Sequence, residues 1–221
     1  MAHLPVSIQA GDGSGSFGAY LAVPKSGSGP GLVIAQEIFG VNKTMRDVAD
    51  DYAEEGYVVR VPDLFWRQEP GVQLGHTPED MQRAFGLYGG FDEARGVDDI
   101  QATLKVLRAL PQCNGKTGVL GFCLGGKLAY LAACRTDAQV SVAYYGVGIE
   151  KAIGEIDKVK GRLVMHVAEL DKFCPPGAQA QIVARTRGRA NVELYVYPGQ
   201  DQGRTMPSLA SVASISTNRR R

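Results

Sequence analysis

Apolar and polar positions along the chain switch repeatedly between a two-residue and a 3.6-residue period, which marks out strands joined by helices. Residues 17–23 (Phe-Gly-Ala-Tyr-Leu-Ala-Val) form an early strand, ended by Pro24 and a Gly/Ser loop. Residues 31–35, Gly-Leu-Val-Ile-Ala, lack polar side chains, as expected of a strand covered on both faces. Another strand over 57–61 stops at Pro62, and further strands are predicted at 117–121, 140–145, 162–167 and 192–197. Asn42 can cap a helix over 43–55, where Met45, Val48, Ala49 and Tyr52 recur at helical spacing. A longer helix over 92–110 carries the stripe Val97, Ile100, Leu104 and Leu107, and two more are predicted at 125–134 and 176–187. Residues 63–91, with Trp66, Pro70, Gly71, Gly75 and Pro78, look loose. This alternation predicts an α/β fold: one domain over residues 1–221, with a doubly wound, mostly parallel sheet and helices on both faces.

Charge and composition narrow the function. The 24 basic and 23 acidic side chains leave a net charge of +1, which argues against a nucleic-acid partner. The closing Arg219-Arg220-Arg221 is expected to be a solvated tail. No apolar run approaches the ~20 residues of a membrane span, and residues 1–20 lack a basic start followed by an apolar segment. A cytoplasmic protein is therefore expected, as a monomer, with an oligomer left open. Of the four cysteines (Cys113, Cys123, Cys134, Cys174) none lies in a Cys-x-x-Cys pair, so neither a metal site nor a cofactor is expected.

Cys123 stands apart because of its neighbours. Gly121-Phe122-Cys123-Leu124-Gly125-Gly126 lies between a predicted strand and a predicted helix, the context a nucleophile elbow requires. The glycines let backbone pack closely around a strained residue, and the helix N-terminus favours a thiolate. The Leu124 amide would supply half of an oxyanion hole. In such folds the acid follows the nucleophile, and Asp171 sits just past the strand at 162–167; capping the next helix is its simpler alternative role. A histidine is due after the strand at 192–197, yet Tyr197-Pro198-Gly199-Gln200-Asp201-Gln202-Gly203 contains none.

With these segments assembled, the chain resembles the dienelactone hydrolase family, within the α/β-hydrolase fold, from its first strand to about Gly203. The resemblance rests on Ala35-Gln36-Glu37-Ile38-Phe39-Gly40, Pro62-Asp63-Leu64, the elbow at Cys123, Tyr144-Tyr145-Gly146 and Asp171. It implies opening of an enol-lactone or related ester, a small-molecule substrate of aromatic-compound degradation, through a cysteine acyl-enzyme. Glu37 would hold and deprotonate the thiol, and the Ile38 amide would be the second oxyanion donor. The chain departs from the family at Gln202, which aligns with the catalytic histidine, and an amide cannot relay a proton at neutral pH. Met81 and Phe85 replace a substrate-binding arginine and tyrosine, leaving Arg83 or Arg204 as possible anchors. Of the three histidines, His3 is a bystander near the chain start and His166 belongs inside a strand. His76, in the loose region over the expected pocket, is the one replacement base that sequence offers. The alternatives are an impaired homologue that binds a ligand or stalls as an acyl-enzyme and, last, a redox-sensing thiol.

Overall fold

The computed structural model describes residues 6–201, which form one eight-stranded sheet flanked by helices. In chain order the elements are β1 (Val6–Gln9), β2 (Ser16–Ala22), β3 (Gly29–Ala35), α1 (Lys43–Glu54), β4 (Val58–Pro62), α2 (Pro78–Gly89) and α3 (Glu93–Arg108). There follow β5 (Cys113–Phe122), α4 (Leu124–Arg135), β6 (Val140–Tyr144), a 3₁₀ helix (Ile149–Lys158), β7 (Arg162–Ala168), α5 (Pro176–Thr186) and β8 (Val192–Tyr197). The spatial order is β1-β2-β4-β3-β5-β6-β7-β8. β1 with β2 and β2 with β4 run antiparallel, and the remaining neighbours are parallel.

The alternation along β3 explains how the sheet is covered. Val33 and Ala35 belong to a large apolar cluster with α3, α4 and the 3₁₀ helix, including Leu104, Leu107, Leu128 and Ile153. Leu32 and Ile34 point to a second cluster with Met45, Ala49 and Tyr52 of α1. Helices thus cover both faces, as the uninterrupted apolar run predicts. No helix among the described residues is long and apolar enough to cross a membrane.

Two predicted boundaries need correction. The region 63–91 is not loose throughout, since it contains α2. Pro78 is an initiator of this helix rather than a breaker, because a proline in the first turn sacrifices no intrahelical hydrogen bond. Thr77 caps it by accepting from the Asp80 amide at 3.1 Å, and Glu79 and Asp80 lie at its electropositive end. The 3₁₀ helix was also not foreseen. Gly148 opens it in a left-handed conformation (φ 73°), and Ile149, Ile153 and Ile156 bury one side.

β3 is the switch point of the sheet. The chain leaves it toward β4 on one side, while β5 pairs on the other, with Ala35 opposite Gly121. At such a point the connections leave in opposite directions, and a crevice opens at the carboxyl ends of the strands. The segment after β3 begins with Gln36 and Glu37, and the residue after β5 is Cys123.

Candidate active site

Cys123 sits between β5 and α4 with φ 54° and ψ −115°, a left-handed conformation costly for a side chain with a Cβ. Its amide donates to Tyr144 O at 3.1 Å, and its carbonyl accepts from Lys127 N at 3.2 Å and Val147 N at 3.3 Å. These bonds fix the strained turn from both sides. The other described non-glycine residue at positive φ is Tyr145 (φ 37°), at the carboxyl end of the adjacent β6. Both line one cavity of about 530 Å³, so the backbone strain gathers where side chains are presented.

The segment after β3 supplies Glu37, Ile38 and Phe39 to that cavity. Gln36, fully buried, holds this segment by accepting from the Leu64 amide at 3.1 Å. Asp63 in turn accepts from Phe65 N at 3.1 Å and Gly71 N at 2.7 Å. Gln36 and Asp63 therefore have structural work, shaping the loops on either side of Glu37. Tyr145 Oη donates to Glu37 Oε1 at 3.4 Å. Burial raises the Glu37 pKa above its ordinary value, while the Tyr145 hydrogen bond and nearby His76 oppose the rise. Burial foremost, and then the facing Glu37 carboxylate, push the Tyr145 phenol well above its usual range, so it remains a donor.

α2 contributes Met81, Phe85 and Tyr88 to the wall, and the 3₁₀ helix with its lead-in brings Val147, Gly148, Glu150 and Lys151. Phe173, more than half exposed, completes the lining together with His76. Leu124 is the first residue of α4; its side chain is fully buried beneath the site, and its amide has no intrahelical acceptor. Lys127 of α4 pairs with Glu93 of α3 at 2.6 Å, which ties this helix to its neighbour.

Asp171 lies three residues past β7 and is buried. Oδ1 accepts from Phe173 N at 2.8 Å, and Oδ2 has no partner among the described residues. Burial raises its pKa, the Phe173 amide opposes this, and nearby Asp201 adds to it. Arg83 turns away from the cavity and pairs with Glu69, because its place on α2 directs it to another face from Met81 and Phe85. His166 is buried, its ring 4.3 Å from that of Tyr144 and its Nδ1 2.8 Å from Tyr197 Oη. Desolvation lowers its pKa to about 4. His3, Gln202 and Arg204 lie outside the described residues.

The site therefore brings together Cys123, Glu37, Ile38, Met81, Phe85 and His76. Sequence reasoning missed Tyr145 as a partner of Glu37, although Tyr144-Tyr145-Gly146 at the end of a predicted strand marked the place. It also missed Tyr88, Glu150 and Lys151, whose elements, α2 and the 3₁₀ helix, were not foreseen. Chemically, a thiol at a helix N-terminus shares a largely apolar cavity with a half-buried carboxylate and an imidazole. This is the equipment for nucleophilic attack on a carbonyl with proton transfer. Among the described residues no group of three or more His, Cys, Asp or Glu side chains is placed to hold a metal ion.

Comparison with known proteins gives concordant matches. A sequence profile of the dienelactone hydrolase family matches residues 17–215. A carboxymethylenebutenolidase of Pseudomonas putida is 38% identical over 221 residues, covering 97% of this chain and 93% of its own. Another from Pseudomonas sp. (strain P51) is 39% identical over 186 residues, with 84% and 78% covered. The crystal structure of a dienelactone hydrolase from Anabaena variabilis superposes with a TM-score of 0.70 at 18% identity. That match covers 98% of this chain and 95% of the other, and establishes the α/β-hydrolase fold.

Proposed function

The chain belongs to the dienelactone hydrolase family, and from that premise we propose that it hydrolyses carboxylic esters or enol-lactones through an acyl-thioester on Cys123. The observation that carries this reading is the strained elbow, which presents Cys123 beside Glu37 in a cavity of about 530 Å³. Substrate enters with its carbonyl above Cys123, and Glu37 takes the thiol proton. Sγ attacks the carbonyl carbon, and the amides of Ile38 and Leu124 hold the oxyanion. Collapse breaks the ester C–O bond, the proton held by Glu37 passes to the departing oxygen, and water then cleaves the thioester to the acid and the free thiol. Asp171 is the acid of the triad, and Gln202 occupies the family's histidine position without its proton chemistry. Met81 and Phe85 make the α2 wall apolar, so an acyl group with an uncharged flank fits it best.

The protein is expected to turn over 4-nitrophenyl acetate and a dienelactone, with mass spectrometry detecting an acyl adduct on the peptide containing Cys123. Hydrolysis without any adduct on this cysteine, even in rapid-quench samples, would count against the covalent route. Gln202, whose amide can neither take nor give a proton at neutral pH, favours a second reading, in which the thioester forms but deacylation stalls. A persistent adduct after one turnover distinguishes that case.

Tyr145→Phe gives a test of Glu37. The phenol hydrogen bond holds the Glu37 pKa down against burial, so its removal lets that pKa rise further. An acid with a higher pKa ionises at higher pH, and the acidic limb of the kcat/KM profile is expected to move alkaline. A limb that stays in place in Tyr145→Phe would separate Glu37 from thiol deprotonation.

A further inference from the structure

Three features locate an imidazole in this site by a route independent of the chain beyond residue 201. First, His76 borders the same cavity as Cys123 and Glu37. Second, its ring lies 4.5 Å from that of Phe39, centroid to centroid and inclined by 50°, which seats it on the segment that carries Glu37. Third, the loop leading to His76 is stitched to that segment. Val41 N donates to Val72 O at 3.1 Å and Leu74 N to Phe39 O at 2.9 Å, and Gly40 pairs with Gln73 across a bridge. Asn42 Nδ2 donates to Leu74 O at 2.9 Å, so the cap of α1 also holds the loop. Just before His76, the Gly75 amide donates to Asp80 Oδ2 at 3.1 Å, which fixes the entry into α2. An exposed position does not imply a wandering one when its neighbours are bonded in this way.

We propose that His76 is the general acid–base of this site, working beside Glu37 in the role that Gln202 cannot fill. The inference rests on the reading of the chain as a Cys123 hydrolase. The other imidazole among the described residues, His166, is buried against Tyr144 and Tyr197 and does not border the cavity. An imidazole both accepts and donates a proton near neutrality, which neither a carboxylate nor an amide does well. In acylation the Cys123 proton passes to His76, directly or through Glu37, as the S–C bond forms. His76 then gives that proton to the departing oxygen as the C–O bond breaks. In deacylation His76 takes a proton from water while the water oxygen bonds to the thioester carbon. The C–S bond then breaks, and the proton returns to the cysteine sulfur. One ester and one water give one acid and one alcohol, or a single hydroxy- or oxo-acid from a lactone. The charged and titratable groups that share the cavity with His76 are Glu37 after β3, Tyr88 on α2, Cys123, Tyr145 after β6, and Glu150 and Lys151 on the 3₁₀ helix, and Asp80 on α2 holds the Gly75 amide next to it.

The test uses the full chain with His76→Gln, His76→Ala and Cys123→Ala, and 4-nitrophenyl acetate as the probe. Nitrophenolate leaves without needing a proton, so His76→Gln is expected to retain a burst of nitrophenol and then turn over 10²–10⁴-fold more slowly than the parent, the usual range for lost acid–base catalysis. The acyl adduct accumulates on Cys123, the pH profile of kcat loses the limb belonging to His76, and added imidazole partly restores deacylation in His76→Ala. A matched melting temperature excludes misfolding as the cause. If His76→Gln turns over like the parent with an unchanged pH profile while Cys123→Ala is inactive, the role of His76 is overturned and the cysteine reading stands. If Cys123→Ala matches the parent, the cysteine reading itself falls, and the inference with it.

Discussion

Cys123→Ala is expected to abolish ester turnover, with a fall of roughly 10³-fold or more, since loss of a covalent nucleophile is among the costliest changes a hydrolase can suffer. Cys123→Ser should fall nearly as far. A serine hydroxyl is far less acidic than a thiol, and its activation normally depends on a histidine held in place by an acid. Here Gln202 stands at the position of that histidine, so this activation is missing. The informative companion is Cys123→Gly. The native residue holds φ at 54°, a conformation that glycine adopts without the Cβ penalty. Glycine there is expected to raise stability by about 1 kcal/mol while activity disappears. Chemical denaturation beside the ester assay would show both effects. A Cys123→Gly protein less stable than its parent would mean that the elbow is not strained, and that the thiol's packing outweighs its backbone cost.

How much of this was legible in the sequence depends on how locally each feature is encoded. β3 could be recognised because its five apolar residues serve two faces, and the structure places Val33 with α3 and α4 and Ile34 with α1. α1 and α3 could be recognised because each combines a side-chain cap with a clear apolar stripe. α2 was hidden by Pro78 and flanking glycines, and it buries only Ala84, so its periodic signal is weak. The 3₁₀ helix carries Ile149, Ile153 and Ile156 at the i, i+4, i+7 spacing of a helix face, but Gly148 before it and Gly154 within it give the stretch the look of a loop.

The site divides along the same line. Cys123, Glu37 and Ile38 lie on short motifs at strand ends, where sequence and geometry coincide. That Tyr145 donates to Glu37 spans 108 positions and follows from the pairing of β3 with β5 and of β5 with β6. His76 could be suspected only as a histidine left in an unassigned region. Its attachment to the Glu37 segment depends on backbone bonds between residues 39–41 and 72–74 and on the Asn42 side-chain amide at Leu74 O, and no apolar or polar periodicity announces those. Arg83 shows the converse. Two positions from Met81 on a helix, it faces elsewhere and finds Glu69.

Gly125→Ala is expected to be severely destabilising. A Cβ at this position would stand 2.1 Å from Ala35 O and 2.7 Å from Gln36 O, both backbone atoms at the end of β3. Neither can swing aside as a side chain could, because Ala35 is paired with Gly121 in the sheet centre. Relief requires α4 to lift off the sheet, and α4 is buried from Leu124 to Cys134. The cost is expected to be about 3 kcal/mol or more, at the upper end for overpacking. The same displacement would pull the elbow away from the Glu37 segment, so any folded fraction should also acylate slowly. Gly86→Ala is the control. This glycine lies within α2, with open space where its Cβ would go. Replacing glycine by alanine inside a helix should stabilise by roughly 0.5–1 kcal/mol. Thermal melts of both variants test the contrast directly. If Gly125→Ala melts within a few degrees of the parent, β3 and α4 are not in the close contact on which the whole site depends.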